Sequence, residues 1–174
     1  MSLQGTALLA GSEDLSRRIE AGVEELDRVI KDLRNYIFGL RPDILAGGRL
    51  DVALRQLASE FGERTEVVTV ADVDARAAAA LAAMAGDVVQ LAREALSNVG
   101  RHAEAATVRL SLHMDGGRAI LTVDDDGRGF DPAHLEVSGQ GLHNMQRRAE
   151  QLGATLDLSS VRGEGTTLRV VFPA

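Results

Sequence analysis

The sequence predicts an α+β domain, a two-layer α/β sandwich in which helices cover one face of a mixed sheet, preceded by a long N-terminal helix. Between residues 14 and 40, apolar residues recur at spacings of three and four, as on one face of an amphipathic helix. After residue 106, two pairs of short Val-, Leu- and Thr-rich segments are each joined by a Gly-rich turn and separated by a helical segment. This order of helices and hairpins is typical of helices packed on one side of a sheet.

Composition indicates a soluble domain with an aliphatic core. Of the 174 residues, 45% are apolar but only 3% are aromatic, and there is no Trp for base stacking. A net charge of −7 disfavours binding to nucleic acid or to anionic lipid. Cysteine is absent, which excludes disulfides and Cys-ligated zinc. We expect a cytoplasmic domain with no nucleic-acid partner and no membrane contact.

The N-terminal helix is predicted from Asp14 to Leu40, because Pro42 pushes the residue before it out of helical geometry. Residues 1–13 lack the basic start of a signal peptide and are predicted to be a disordered leader. One narrow apolar stripe does not stabilise so long a helix alone. The stripe packs either against its own domain or in the helical bundle of a dimer, and its position outside the sheet domain favours the bundle.

The other elements follow in order from the same periodicities. Before the hairpins we predict helices over Leu50–Phe61, Asp74–Ala85 and Val88–His102, the last capped at Gly86-Asp87, and a strand over Glu66–Val70. The first hairpin joins strands Thr107–Met114 and Ala119–Asp124 at a turn over Asp115–Gly117. A helix over Leu142–Leu152 is ended by Gly153, and the second hairpin joins Thr155–Ser160 to Thr166–Phe172.

Polar side chains repeat along one face of the predicted helix Val88–His102. Glu94 and Asn98 are four residues apart and so point the same way, with Arg101 and His102 one turn on. A carboxylate and an amide oxygen suit Mg²⁺, with Asn98 as the ligand. Glu94 is placed to orient or deprotonate an attacking hydroxyl or water, or to reach the metal through water. The alternative is a solvated helix face.

A run of three carboxylates, residues 124 to 126, ends the second strand of the first hairpin. Alternation along the strand predicts that Asp124 and Asp126 face one way and Asp125 the other. The glycines that follow, Gly127 and Gly129, allow a sharp turn. A carboxylate at the rim of a pocket accepts a hydrogen bond from an exocyclic amine such as that of adenine. An ordinary acidic turn and a calcium loop are the alternatives.

Two further glycine turns complete the candidate site. Gly139 and Gly141 lead into the helix that starts at Leu142, and a helix N-terminus approached through glycine is an anion site. The spacing matches neither a Walker loop nor a dinucleotide fingerprint. The polar loop over residues 131–138 is predicted to be a mobile lid. The turn over Gly163–Thr166 is a second place where backbone must approach a ligand closely.

These motifs, in this order, resemble the ATP-binding catalytic region of bacterial sensor histidine kinases. That region belongs to the GHKL superfamily, with gyrase, MutL and the large heat-shock chaperone ATPases. The similar segments are Glu94–Ala103 for the N box, Asp125–Gly129 for the G1 box, Gly139–Met145 for the G2 box and Gly163–Thr166 for the last glycine turn. In addition, Asp32–Pro42 followed by Leu50–Leu54 resembles the end of the dimerisation domain in the nitrate-sensor (NarX-like) subgroup.

The resemblance implies a Bergerat-type ATPase fold over residues 43–174, preceded by the second helix of a dimerisation domain over residues 14–42. It implies ATP and Mg²⁺ as cofactors, with Asn98 on the metal, Asp125 on the adenine amine, and Arg101 and His102 toward phosphates or ribose. Glu94 would polarise the phosphoacceptor. The remaining implied nucleotide-binding residues are Gly127, Gly129, Phe130, Gly139, Gly141, Leu142 and Thr166.

The resemblance also implies a reaction and partners. The γ-phosphoryl group of ATP would pass to a histidine on the first dimerisation helix, and from there to an aspartate of a response regulator, in a homodimeric kinase. No histidine precedes His102, so we expect no autophosphorylation at that site by this chain alone. The alternatives are an anti-sigma-type serine kinase and a non-catalytic dimerising module on the same fold.

Overall fold

The structure is a computed structural model that describes residues 49–131 and 140–173. The predictions for the leader, the N-terminal helix, the domain boundary, Gly139 and nearly all of the lid lie outside the described residues. The helices are α1 (Leu50–Thr65), α2 (Ala75–Ala80), α3 (Ala85–Asn98) and α4 (Gln140–Gln151). The strands are β1 (Val68–Val73), β2 (Thr107–Asp115), β3 (Arg118–Asp125), β4 (Thr155–Val161) and β5 (Gly165–Val171).

The five strands form one mixed sheet in the order β1-β2-β3-β5-β4. Strand β1 runs parallel to β2, and the other neighbouring strands are antiparallel. Both predicted hairpins are therefore present, and β3 lies at the centre of the sheet. The register pairs Asp125, the last residue of β3, with Thr166 of β5. Two residues from separate predicted motifs thus become direct neighbours.

Helices cover one face of the sheet, as predicted, and the core lies between the two layers. In β2, Val108, Leu110 and Leu112 are fully buried between exposed Arg109 and His113, which is the period of two of a half-buried strand. Helix α1 buries the predicted apolar face, which ends with Phe61. Each such large apolar side chain contributes about 1.5–3 kcal/mol through burial. In the part of the chain described, no helix is long and apolar enough to cross a membrane.

The first strand was predicted two residues too early. Helix α1 continues to Thr65, and Glu66 ends it in the left-handed conformation, with φ of 60° and its amide bonded to the carbonyl of Gly62. A residue in that conformation cannot belong to a strand, so β1 begins at Val68. The strand then runs on to Val73, whose side chain is buried in the core.

The predicted helix break at Gly86-Asp87 is wrong. The break comes earlier, at Leu81, which separates α2 from a short 3₁₀ turn over Ala82–Met84 and is itself buried. Gly86 and Asp87 lie in the first turn of α3, which has Met84 as its N-cap. Asp87 instead forms an ion pair with Arg148 of α4. Burial of Leu81 and this contact between helices outweigh the local preference of glycine for a break.

Arg93 on α3 is a charged residue buried in the core. Its side chain is only 1% exposed, and none of its guanidinium nitrogens has a hydrogen-bond partner in the described residues. Burial lowers the pKa of this guanidinium, and the negative charge of Glu60 on α1 acts in the opposite direction. The electrostatic attraction to Glu60 therefore acts across the interface of α1 and α3 without a direct hydrogen bond.

Candidate functional site

A cavity of about 550 Å³ opens between α3, the ends of β3 and β5, and α4. The predicted site residues that line it are Asn98, Arg101, His102, Asp125, Gly129, Phe130, Gly141, Leu142 and Thr166. Four apolar side chains from the sheet and α4, Val123, Met145, Leu158 and Leu168, also contribute to its walls. We call the part formed by Asp125, Gly129, Phe130 and Thr166, with Ser160 bonded to Thr166, the sheet end. The part formed by Asn98, Arg101, Gly141 and Leu142, with Glu94 paired to Arg101, is the helix end; Ser160 and Glu94 do not themselves line the cavity.

A π-helical turn follows α3 and contains two of the predicted site residues. The sequence predicts a single α-helix to His102, but the α-helix ends at Asn98 and Val99–Ala103 form the wider turn. Turns of this kind are often found at functional sites. Arg101 and His102 lie in it and line the cavity. Glu104, with φ of 53°, ends the turn.

The π-helical turn is fastened to the loop that follows β3. The amide of Arg128 donates to the carbonyl oxygen of Ala103 at 2.7 Å, and its guanidinium pairs with Glu104 at 3.2 Å. Gly127 does not line the cavity but lies against Ala103, where an added Cβ would overlap the Ala103 carbonyl oxygen. The absence of a side chain at Gly127 therefore allows the two segments to approach each other.

The helix end contains an ionic cluster. The Nη2 atom of Arg101 lies 3.4 Å from Glu94 Oε1 and 3.4 Å from Asn98 Oδ1, so the two predicted oxygen ligands do point to one place. Both charged side chains are about 30% exposed, at 31% for Arg101 and 30% for Glu94. Gly141 in the first turn of α4 lies against this cluster, and an added Cβ would overlap Glu94 Oε1.

The three consecutive carboxylates have three different surroundings, and their alternation is as predicted. Asp124 is exposed on the open face of the sheet and accepts a hydrogen bond from the Thr167 hydroxyl. Asp126 accepts from the amides of Ala106 at 2.9 Å and Thr107 at 2.8 Å, and these bonds lower its pKa. Its oxygen is thus occupied by backbone, which disfavours a calcium loop. Asp125 alone faces the cavity.

Asp125 is only 7% exposed. Burial raises the pKa of its carboxyl, and the charges of Asp124 and Asp126 raise it further. Hydrogen bonds from the amides of Gly127 and Thr166 act in the opposite direction, and the first of these measures 2.9 Å. A buried carboxylate with remaining lone pairs at the edge of an apolar cavity is suited to accept from one donor group of a ligand.

The glycine of the Asp125 turn that lines the cavity, Gly129, is held by two strands. It has φ of 53°, and an added Cβ would overlap the carbonyl oxygen of Val161 and approach that of Gly165. The loop after β3 is thereby packed against the second hairpin. Glycine is required here both for the backbone conformation and for the close contact.

Sequence reasoning missed Ser160, which belongs to this same contact. Its side chain is 8% exposed, and its hydroxyl accepts from the amide of Phe130 at 2.9 Å. The available signal was the alternation in β4, where Leu156 and Leu158 point toward the core and the next inward position is a serine. A polar residue on an apolar face indicates a specific hydrogen-bonding role.

The arrangement fits a nucleotide with its metal. The sheet end offers a buried acceptor beside apolar walls, as a base with an exocyclic amine requires. The helix end offers the first amides of α4, which have no partner within the helix and lie beside Asn98 and Glu94. The amides suit phosphate oxygens, and the side-chain oxygens suit a hard divalent cation.

Comparison with known proteins gives a family match and similar sensor histidine kinases. Residues 84–174 match the family described as histidine kinase-, DNA gyrase B-, and HSP90-like ATPase. The chain is similar to the sensor histidine kinase MctS of Rhizobium johnstonii, with 36% identity over 99% of this chain and 38% of that protein. It is also similar to the sensor histidine kinase LiaS of Bacillus subtilis, with 31% identity over 82% of this chain and 39% of that protein. The chain thus spans about two fifths of the length of these curated relatives.

Solved structures agree on the fold. The histidine kinase domain of the blue-light activated kinase of Erythrobacter litoralis EL346 gives a TM-score of 0.62 at 21% identity, covering 96% of this chain and 84% of that one. The Acinetobacter baumannii histidine kinase AdeS gives a TM-score of 0.55 at 18% identity, covering 92% of this chain and 84% of that one. The predicted α+β architecture is confirmed.

Proposed function

Because the chain belongs to the family of histidine kinase-, DNA gyrase B- and HSP90-like ATPases and is the catalytic ATPase domain of a sensor histidine kinase, we propose that it binds ATP together with Mg²⁺ and donates the γ-phosphoryl group to a histidine of the kinase's dimerisation domain. The observation that carries the assignment of the site is the position of Asp125. It is the buried carboxylate of the cavity, opposite the ionic cluster of the helix end.

At the sheet end, Asp125 accepts a hydrogen bond from the exocyclic amine of adenine. The base lies between the apolar side chains of Val123, Met145 and Leu168. Specificity follows because a buried acceptor left without a donor costs about 1–3 kcal/mol. A base with a carbonyl in place of the amine offers no donor to the remaining lone pairs of Asp125 and is selected against.

At the helix end, Asn98 ligates the metal through Oδ1, and the amides in the first turn of α4 bind phosphate oxygens. The guanidinium of Arg101 now contacts Glu94 and Asn98, the residues that would hold Mg²⁺, and it would turn from them toward a phosphate when Asn98 ligates the metal. The guanidinium then pairs with a phosphate, as does His102. When bound, Mg²⁺ supplies the charge that neutralises the transferred phosphoryl group. Glu94 polarises the acceptor.

In the whole protein, we propose that the kinase is a homodimer of the nitrate-sensor (NarX-like) subgroup whose phosphohistidine passes its phosphoryl group to a response regulator. The support is the motif over Asp32–Pro42 and the similarity to two curated sensor kinases. The phosphoacceptor is a histidine on a dimerisation helix, and this domain supplies the bound ATP from which the phosphoryl group is transferred.

The test is calorimetric titration of the chain with a non-hydrolysable ATP analogue, with and without Mg²⁺, for the wild type, Asp125→Ala and Asp124→Ala. Removal of a hydrogen bond to a buried charge is expected to weaken binding by Asp125→Ala on the order of 100-fold. The Asp124→Ala control removes the neighbouring carboxylate on the open face and should bind like the wild type. Equal affinity for all three proteins, or no binding by the folded wild type, would refute the assignment.

A further inference from the structure

We propose that Ser160 is a positioning residue that sets the direction of the hydrogen bond made by the Thr166 hydroxyl, so that the side chains of Asp125 and Thr166 present only acceptors to the base. This inference rests on the proposed function, in which adenine binds at Asp125. It adds a residue that does not line the cavity and explains how the site distinguishes a 6-amino from a 6-oxo purine. The chemistry involved is the donation of the Thr166 hydroxyl proton to Ser160 instead of to the ligand.

Ser160 joins three segments of the sheet end. Its Oγ accepts from the amide of Phe130 at 2.9 Å and lies 2.9 Å from the carbonyl oxygen of Gly165, to which it donates. It also lies 3.0 Å from Thr166 Oγ1, and geometry alone permits either hydroxyl to be the donor of that bond. The side chain is buried, so water does not satisfy these groups in its place.

The single proton of the Ser160 hydroxyl decides which residue donates in the hydrogen bond between Ser160 and Thr166. A serine hydroxyl has one proton to donate and two lone pairs to accept with. A backbone carbonyl is acceptor-only, so the contact with Gly165 consumes the single Ser160 proton. The amide of Phe130 occupies one lone pair, and the second is free to accept from Thr166. The Thr166 hydroxyl therefore donates to Ser160, and only its lone pairs remain for the cavity.

As a consequence, the two side chains that face the base both act as hydrogen-bond acceptors. Thr166 lines the cavity and is the register partner of Asp125, so the two side chains stand next to each other. With the Thr166 proton held by Ser160, both present lone pairs. The 6-amino group of adenine donates to such a surface, whereas the 6-oxo oxygen of hypoxanthine meets lone pairs on both sides. Without Ser160, the Thr166 hydroxyl is free to rotate and to donate to that oxygen.

The experiment uses calorimetry to compare the affinities of ADP and IDP, whose bases carry an amino group and an oxo group, respectively, at position 6. The wild type should prefer ADP, and Ser160→Ala should reduce the ratio of the two affinities about tenfold, the worth of one hydrogen bond. The matched control is Ser159→Ala, which removes an exposed serine from the same strand and should leave the ratio unchanged. If thermal unfolding shows that Ser160→Ala is not folded, Ser160→Cys is measured instead, because it keeps the shape of the side chain but weakens its hydrogen bonds.

The same substitution made in a Thr166→Val protein distinguishes a positioning role of Ser160 from a general loss of structure at the site. In Thr166→Val there is no hydroxyl to orient, so adding Ser160→Ala should change the ADP-to-IDP ratio no further. An equal change in both backgrounds, or a wild-type ratio in a folded Ser160→Ala protein that binds ADP, would overturn this inference and leave the proposed function standing. Absence of ADP binding by the wild type would refute the proposed function itself.

Discussion

At the sheet end of the cavity, the buried side chains of Asp125 and Ser160 each accept a hydrogen bond of 2.9 Å from a backbone amide. At the helix end, partly exposed Arg101 meets Glu94 and Asn98 at 3.4 Å, near the limit of a hydrogen bond. The sheet end is thus built by the fold, whereas the helix end is held by contacts that a cation and phosphates can replace. Substitutions at the sheet end should affect stability and recognition together, and those at the helix end mainly affinity.

The largest expected effect is on stability at the sheet end, in Gly129→Ala. The left-handed conformation and the overlap with the Val161 carbonyl together are expected to lower the free energy of unfolding by about 3–4 kcal/mol. The control is Gly116→Ala, which has nearly the same φ, 54° against 53°, but open space around the added Cβ. It should cost only about 1 kcal/mol. Similar costs in denaturant unfolding would show that the contact with β4 and β5 is not rigid.

A smaller effect on stability is expected from Asp125→Asn, and it should depend on pH. Burial raises the pKa of Asp125 in the folded protein. The contribution of this pKa shift to the free energy of unfolding is therefore fully present below the pKa of about 3.9 that the carboxyl has in the unfolded chain. It is lost as the pH rises through the higher pKa of the folded protein. Asn keeps the acceptor for Gly127 without the charge, so the Tm of the variant should exceed that of the wild type increasingly as pH rises through this window. A difference in Tm that shrinks toward neutral pH would contradict the proposed cause.

The smallest effect on stability is expected at the helix end, in Gly141→Ala. The added Cβ overlaps the end of the Glu94 side chain, which can move, and Ala is a better helix former than Gly. Thermal unfolding should therefore change by less than about 1 kcal/mol. The displaced Glu94 disturbs the ionic cluster, and affinity for the Mg²⁺-bound ATP analogue should fall several-fold. A destabilisation as large as that of Gly129→Ala would remove the distinction between the two ends.

Local patterns predicted most of the sheet end. Alternation placed Asp125 on the opposite side from Asp124 and Asp126, and the two glycine-rich turns identified both hairpins. Ser160 was missed because its role depends on Phe130 and Gly165, which come from different segments and meet only in the folded protein.

The helix end was less predictable because its geometry depends on deviations from regular helix. The i, i+4 spacing correctly placed Glu94 and Asn98 on one face. Nothing in the local pattern indicates that the helix widens after Asn98 into the turn in which Arg101 and His102 lie. The local pattern predicts a break at Gly86 because it does not show Leu81 entering the core or Asp87 pairing with Arg148.

The most direct test of the difference between the two ends is titration of Asp125→Ala and Asn98→Ala with ADP, in the presence and absence of Mg²⁺. Asp125→Ala should lose affinity on the order of 100-fold under both conditions, because the base contact does not involve the metal. Asn98→Ala should bind ADP like the wild type without Mg²⁺ and lose only the increase in affinity that Mg²⁺ gives, about tenfold. If Asn98→Ala, like Asp125→Ala, lost the same proportion of its affinity for ADP with and without Mg²⁺, the division of the cavity into a base-binding and a metal-binding end would be wrong.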